Sequence, residues 1–229
     1  MSFERDVNNF PEDWRGIVKK WASLNIGYYD RHSDLPAWYV ENSNSALFAA
    51  AAWAEGHYAL CEVDVEKKYY TGRAGRPASY AGRMDIELTI GEEVYWIEAK
   101  RRAFSLGEES NYSFRHSFMN ASVEEAYANA RQCRPAARDM GAKVASLVFF
   151  SGHIEPDMAE RGAGATPRLR EQLIASEVAA LRHKMRELSD KMNGRVFHAI
   201  FSQRDCRIYA NWQGYYWPAA FGVAAVIDD

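Results

Sequence analysis

The stretch Gly82-Arg-Met-Asp-Ile-Glu-Leu-Thr-Ile-Gly-Glu-Glu-Val-Tyr-Trp-Ile-Glu-Ala-Lys100 decides the fold. Ile86, Leu88 and Ile90 alternate with Asp85, Glu87 and Thr89; beyond Gly91-Glu92, Tyr95 and Ile97 alternate with Val94, Trp96 and Glu98. A period of two marks strands with one face on a core and the other carrying the charges. Glycine in the first position of a two-residue link suits a type II′ turn, which predicts a hairpin with Ile90 facing Glu93. Stepping outward from that pair sets Asp85 directly opposite Glu98, and the same period sets Lys100 beside Glu98.

Directly opposed like charges destabilise a strand pair unless a cation or water screens them. Two carboxylates, a backbone carbonyl and waters make the hard oxygen site that Mg²⁺ prefers, with Mn²⁺ as a substitute, and an adjacent lysine can orient or help deprotonate a water. The competing reading is an ordinary solvated hairpin face on which Lys100 neutralises Asp85 and Glu98, an arrangement of small energetic weight.

Asp85 followed by Glu98-Ala99-Lys100 resembles the signature of the PD-(D/E)XK, or restriction-endonuclease-like, nuclease superfamily. The resemblance covers about residues 38–150. It implies that Asp85 and Glu98 hold one or two Mg²⁺ ions, that the Ala99 carbonyl adds a ligand and that Lys100 positions the attacking water. It also implies a glutamate on the helix before the first strand. Glu41 is the best match, at the start of an Ala-rich helix closed by Gly56, with Glu55 at the far end as the alternative. The implied core is an α/β fold of order α-β-β-β-α-β, a central mixed sheet flanked by helices. Its elements fall on the Glu41 helix, strands 58–70, 83–90 and 93–100, helix 121–139 and strand 143–151. Met84 stands where the superfamily's name has proline. Gln132 matches a glutamine some members carry, but Ala136 stands where they have tyrosine.

A net charge of −3 excludes a protein that coats nucleic acid indiscriminately, so any phosphate-binding surface is local. Candidates are Arg73, Arg76 and Arg83 before or within the second strand, Arg101 and Arg102 after the motif, and Arg131, Arg134 and Arg138 at helical spacing. Lys67 and Lys68 extend the first of these stripes. Glycines and Pro77 make residues 73–83 read as a loop into the active strand, and residues 105–117, with Arg115 and His116, as a loop leaving it.

A chain of 229 residues with 48% hydrophobic residues, seven Trp and thirteen Tyr can bury a large core. Residues 1–9 are too polar for a signal peptide and no apolar run reaches spanning length, so a cytoplasmic protein without membrane contact is expected. Cys61, Cys133 and Cys206 lack metal or disulfide spacing and read as buried small residues.

One domain, 1–229, is expected, with embellishments at both ends of the core. Trp14, Ile17, Val18, Trp21 and Leu24 predict an N-terminal helix, an added layer that packs on the core rather than binding a partner, ended by Asn25 and Gly27. The glycines of residues 161–167 lack a Walker lysine and read as a linker. Ile174, Val178, Leu181, Met185, Leu188 and Met192 predict a helix over 171–192 whose stripe packs on the sheet or makes a homodimer seam. A strand over 195–203 follows, then aromatic residues 209–218 that close a core or stack bases. The expectation is a Mg²⁺-dependent phosphodiester hydrolase acting on nucleic acid, a DNA endonuclease. The alternatives are an RNA-cleaving nuclease of the same fold and a catalytically inactive nucleic-acid-binding or assembly module.

Overall fold

The computed structural model describes residues 3–7, 10–32, 34–69, 78–106, 112–154, 167–192, 195–203, 209–211 and 214–228. Arg73, Arg76 and Cys206 lie outside them, as do residues 161–166 and, for their side chains, Arg115, His116 and the aromatic residues 209–217.

The hairpin forms as β3 (Ala78–Ile90) and β4 (Glu93–Leu106). Gly91 alone of its two turn residues has positive φ, +60°, the type II′ pattern, and Ile90 pairs with Glu93. On its far side β3 pairs antiparallel with the edge strand β2 (Tyr58–Tyr69). β4 pairs in parallel with β5 (Lys143–Ile154), which demands a crossover. Helices α3 (Tyr112–Arg131) and α4 (Arg134–Asp139) supply it. The predicted continuous helix is broken at Gln132-Cys133, and Pro135 sits in the first turn of α4, where its missing N–H costs nothing. β3 begins at Ala78, β4 reaches Leu106 and α3 starts at Tyr112, so both predicted loops are shorter than expected.

Beyond β5 the sheet continues through β8 (Gly214–Ile227), β6 (Val196–Gln203) and β1 (Phe3–Asp6), and β7 (Tyr209–Asn211) adds to β8, making eight strands among the described residues. β8 is the main departure from expectation: the C-terminal tail is a central strand between β5 and β6. Its run of Ala220 to Ile227 is buried on both faces, as a central strand requires. Gly222 lets the strands close, since a Cβ there would lie 2.2 Å from the Ala199 carbonyl oxygen and 2.4 Å from the Phe150 ring. Pro218 is accommodated where the β5–β8 register shifts at Gly152/His153.

Helices cover both faces. On one, α1 (Glu12–His32) and α2 (Glu41–Ala54) pack over Ile86, Leu88, Ile97, Leu147, Phe149 and Val223. α1 packs on this core through its apolar stripe, as expected: Trp21 is fully buried, with ring centroids 5.3 Å from Phe149 and 5.6 Å from Phe221. Burial of each such side chain contributes about 1.5–3 kcal/mol. The helix does not stop at Asn25. That side chain is buried within it, donating to the Trp21 carbonyl and accepting the Ala37 N–H at 2.8 Å, which docks the short 3₁₀ turn Pro36–Trp38. On the other face, α3 and α5 (Pro167–Lys191) bury Val123, Ile174, Val178, Leu181, Met185 and Leu188 against Val148, Phe150 and Ile200. The α5 stripe is therefore consumed by the sheet. Among the described residues no helix is long and apolar enough to cross a membrane.

Candidate active site

Three elements deliver the predicted residues. α2 begins at Glu41, in its first turn, where a carboxylate complements the helix dipole. It ends in a Schellman closure, with Gly56 at φ +85°, Gly56 N–H on the Trp53 carbonyl and His57 N–H on that of Ala52. β3 carries Asp85; β4 carries Glu98, Ala99 and Lys100.

Asp85 is not directly opposite Glu98. The β3–β4 ladder ends at Ile86↔Ile97, one step short. Two local features account for this. Across β2, pairing skips from Cys61↔Ile86 to Val63↔Met84, and the skipped Glu62 has φ 60°, the left-handed region disfavoured for a side chain. Met84 and Ile86, which should share a face, instead join different cores, Met84 with Trp96 and Cys133, Ile86 with Leu88 and Phe149. Alternation in β3 therefore breaks at Asp85, and β3 parts from β4 there, a local irregularity of the kind that re-aims a side chain. Asp85 turns to the backbone: its Oδ2 accepts the Ala99 N–H at 2.6 Å. A strand residue's N–H and C=O point to the same edge, so the Ala99 carbonyl faces the same gap.

Glu98 is the buried centre of the cluster, with a side chain 9% exposed. Its Oε2 accepts from Lys67 Nζ at 3.0 Å and its Oε1 from Lys100 Nζ at 3.4 Å. Lys100 Nζ also stands 3.7 Å from Glu41 Oε1. Glu55 belongs elsewhere, paired with Lys20 at 3.5 Å. Burial, then the charges of Glu98 and Glu41, push the Asp85 carboxyl up to about 6 against the lowering effect of the Ala99 N–H. Burial works against the Lys67 ammonium, but the Glu98 hydrogen bond and charge outweigh it and raise its pKa.

These donors are chemically suited to a hard divalent cation: three carboxylates and a carbonyl edge, with Asp85 raised by burial and then by its acidic neighbours. As the side chains stand, no group of three or more His, Cys, Asp or Glu among the described residues is arranged to hold a metal, and Glu98 is engaged by two lysines.

The arginines divide sharply. Arg101 is a brace: it donates to the Trp38 carbonyl and, at 3.3 Å, to Ser151 Oγ, and burial lowers its pKa. Arg102 bonds Ser122 Oγ at 2.7 Å and Glu125 at 3.1 Å, and Arg134 reaches the buried Asp228 at 3.5 Å. Arg83 is exposed beside Glu62 at 3.0 Å, and Arg131 is exposed with its guanidinium 5.8 Å from the Tyr127 ring centre. Glu87 accepts the Trp96 indole N–H at 3.0 Å and lies outside the cluster. Gln132 bonds Asn129. Cys133 is buried, its thiol pushed up to about 11 by burial, whereas Cys61 is exposed, against expectation. Lys67 is the residue that sequence reasoning misplaced, as one charge in a surface stripe. The signal was Gly82, opposite Val65 and so one pleat from Lys67 across the β2–β3 pair.

The chain is thus an α/β protein with a mixed sheet between helical layers and an acidic-lysine cluster where two strands part. No family model matches it, and no curated protein does. The solved structure of SSO0001 is similar over 61% of this chain at 9% identity and a TM-score of 0.19, too low to carry an argument; this chain spans 60% of that protein's length.

Proposed function

We propose that the protein is a Mg²⁺-dependent phosphodiesterase of the restriction-endonuclease-like superfamily that cuts nucleic acid, DNA ahead of RNA. One observation carries the reading: Asp85, Glu98, Lys100 and Glu41, matched from sequence to a nuclease signature, meet at a gap that the end of the β3–β4 ladder opens.

Asp85, Glu98, Glu41 and the Ala99 carbonyl are the groups that would hold Mg²⁺, which when bound supplies Lewis-acid charge at the scissile phosphate. Lys100 does the remaining work. Glu98 and Glu41 fix its ammonium between them, and its free N–H orients a water for attack and offsets charge developing on the phosphate oxygens. The Ala99 N–H holds the Asp85 carboxylate at the gap, so that its other oxygen can face the substrate side. Of the candidate arginines among the described residues, Arg83, Arg131 and Arg138 are exposed and would meet the polyanion. A catalytically inactive nucleic-acid-binding module is the second reading, favoured by the two lysines that already neutralise Glu98.

Incubating the protein with plasmid, single-stranded DNA and tRNA, with and without Mg²⁺ or Mn²⁺, decides between them. Metal-dependent cutting supports the enzyme and names the substrate. Binding of any of the three without cutting under all conditions rejects it in favour of the binding module.

A further inference from the structure

Lys67 starts on the edge strand, two strands away from Glu98, and crosses β3 to reach it. The crossing is built into the sequence. A Cβ at Gly82 would lie 2.8 Å from Lys67 Cδ and 3.0 Å from Cγ, so the lysine stem rests on a bare glycine Cα and any larger residue would displace it. The ammonium then enters the gap beside Asp85, where the side chains of Lys67 and Glu98 are 12% and 9% exposed. Its contact with Glu98, 3.0 Å, is shorter than the 3.4 Å contact of Lys100. Two ammonium groups thus face three carboxylates.

We infer that Lys67 is a built-in counter-ion that competes with the divalent cation for Glu98, so that metal enters the site only as the Lys67 ammonium leaves Oε2. This rests on the metal-site reading above. A carboxylate oxygen that coordinates Mg²⁺ at about 2.0–2.1 Å cannot keep an ammonium hydrogen bond in the same direction, and the ammonium would repel the dication. Lys67 is therefore a positioning residue that sets metal affinity and keeps Glu98 neutralised in the absence of metal. Lys100, held also by Glu41, can remain in place.

The test is equilibrium binding of Mg²⁺ and Mn²⁺, by calorimetry and Mn²⁺ electron paramagnetic resonance, to wild type, Lys67→Met, Lys67→Arg and Gly82→Ala. Methionine keeps an unbranched stem and removes the charge. Lys67→Met is expected to bind at least about ten-fold tighter than wild type. Lys67→Arg should stay within about three-fold of it, because the charge is retained. Gly82→Ala, which crowds the lysine stem without touching a carboxylate, should tighten binding to a lesser degree and covers the case of a Lys67→Met variant that does not fold. Equal or weaker binding by Lys67→Met, or by Gly82→Ala in that case, overturns the inference. If wild type binds metal in an Asp85-dependent way and those variants do not gain, the inference alone falls. If no variant binds either ion, the metal-site reading falls with it.

Discussion

Replacing Asp85 by asparagine should stabilise the protein at neutral pH in the absence of divalent ions. The carboxyl is raised from its ordinary 3.8 to about 6, chiefly by burial and then by Glu98 and Glu41. A carboxyl held above its unfolded value favours folding only while protonated. That benefit is complete below about pH 4 and is lost as pH rises through about 6. Taken whole, the shift corresponds to about 3 kcal/mol at ~1.4 kcal/mol per pH unit. Water still reaches part of the group and screens it, so about 1–2 kcal/mol is the expected gain for Asp85→Asn at pH 8. Asparagine can still accept the Ala99 N–H through its amide oxygen, so the 2.6 Å bond that anchors the gap survives. Urea unfolding in EDTA at pH 4 and pH 8 measures the effect. The two proteins should converge at pH 4 and separate at pH 8, and millimolar Mg²⁺ should narrow or reverse the gap by stabilising wild type alone. An Asp85→Asn variant no more stable than wild type at pH 8 would refute the claim that burial and acidic neighbours destabilise the Asp85 carboxylate.

Three further outcomes follow from particular contacts. Arg83→Ala and Arg131→Ala should each lower the salt slope of nucleic-acid binding by up to about one, as loss of a phosphate contact requires; unchanged slopes in both would clear these arginines of that role. Arg101→Ala should leave the slope unchanged and cost about 1–3 kcal/mol in denaturant unfolding, because it strips the Trp38 carbonyl and Ser151 of their shared donor. Gly222→Ala should destabilise by about 1–3 kcal/mol through overpacking against the Ala199 carbonyl and Phe150, and a neutral result would show that β8 can shift.

The hairpin was legible because its information is local: a glycine at the turn and a period of two fix the register from Ile90↔Glu93 out to Ile86↔Ile97. What ended that register was not local. The break at Asp85 goes with Glu62, a left-handed residue on another strand, and nothing about a glutamate in an alternating segment announces it. Lys67 was hidden for the same reason, since its reach across β3 depends on Gly82 lying one pleat away in a pairing that only the folded sheet defines. Helix α1 outran its stop signals because Asn25 found a tertiary partner in Ala37, which outweighs propensity. β8 escaped notice because its small residues, Ala220, Ala224 and Ala225, carry little strand preference and make sense only between two strands that bury both faces. Arg101 and Arg102 follow the motif directly and invite a phosphate-binding role, yet the fold takes both as braces, Arg101 to Trp38 and Ser151 and Arg102 to Ser122 and Glu125 of α3.

The most direct measurement is cleavage by Lys100→Ala beside wild type at saturating Mg²⁺, with substrate binding followed in the same samples. A lysine acting on the nucleophile predicts a loss of about two to four orders of magnitude in cleavage rate while binding stays within about two-fold. A Lys100→Ala protein that cuts as fast as wild type would contradict the assignment of the Asp85–Glu98–Lys100 cluster as a catalytic site.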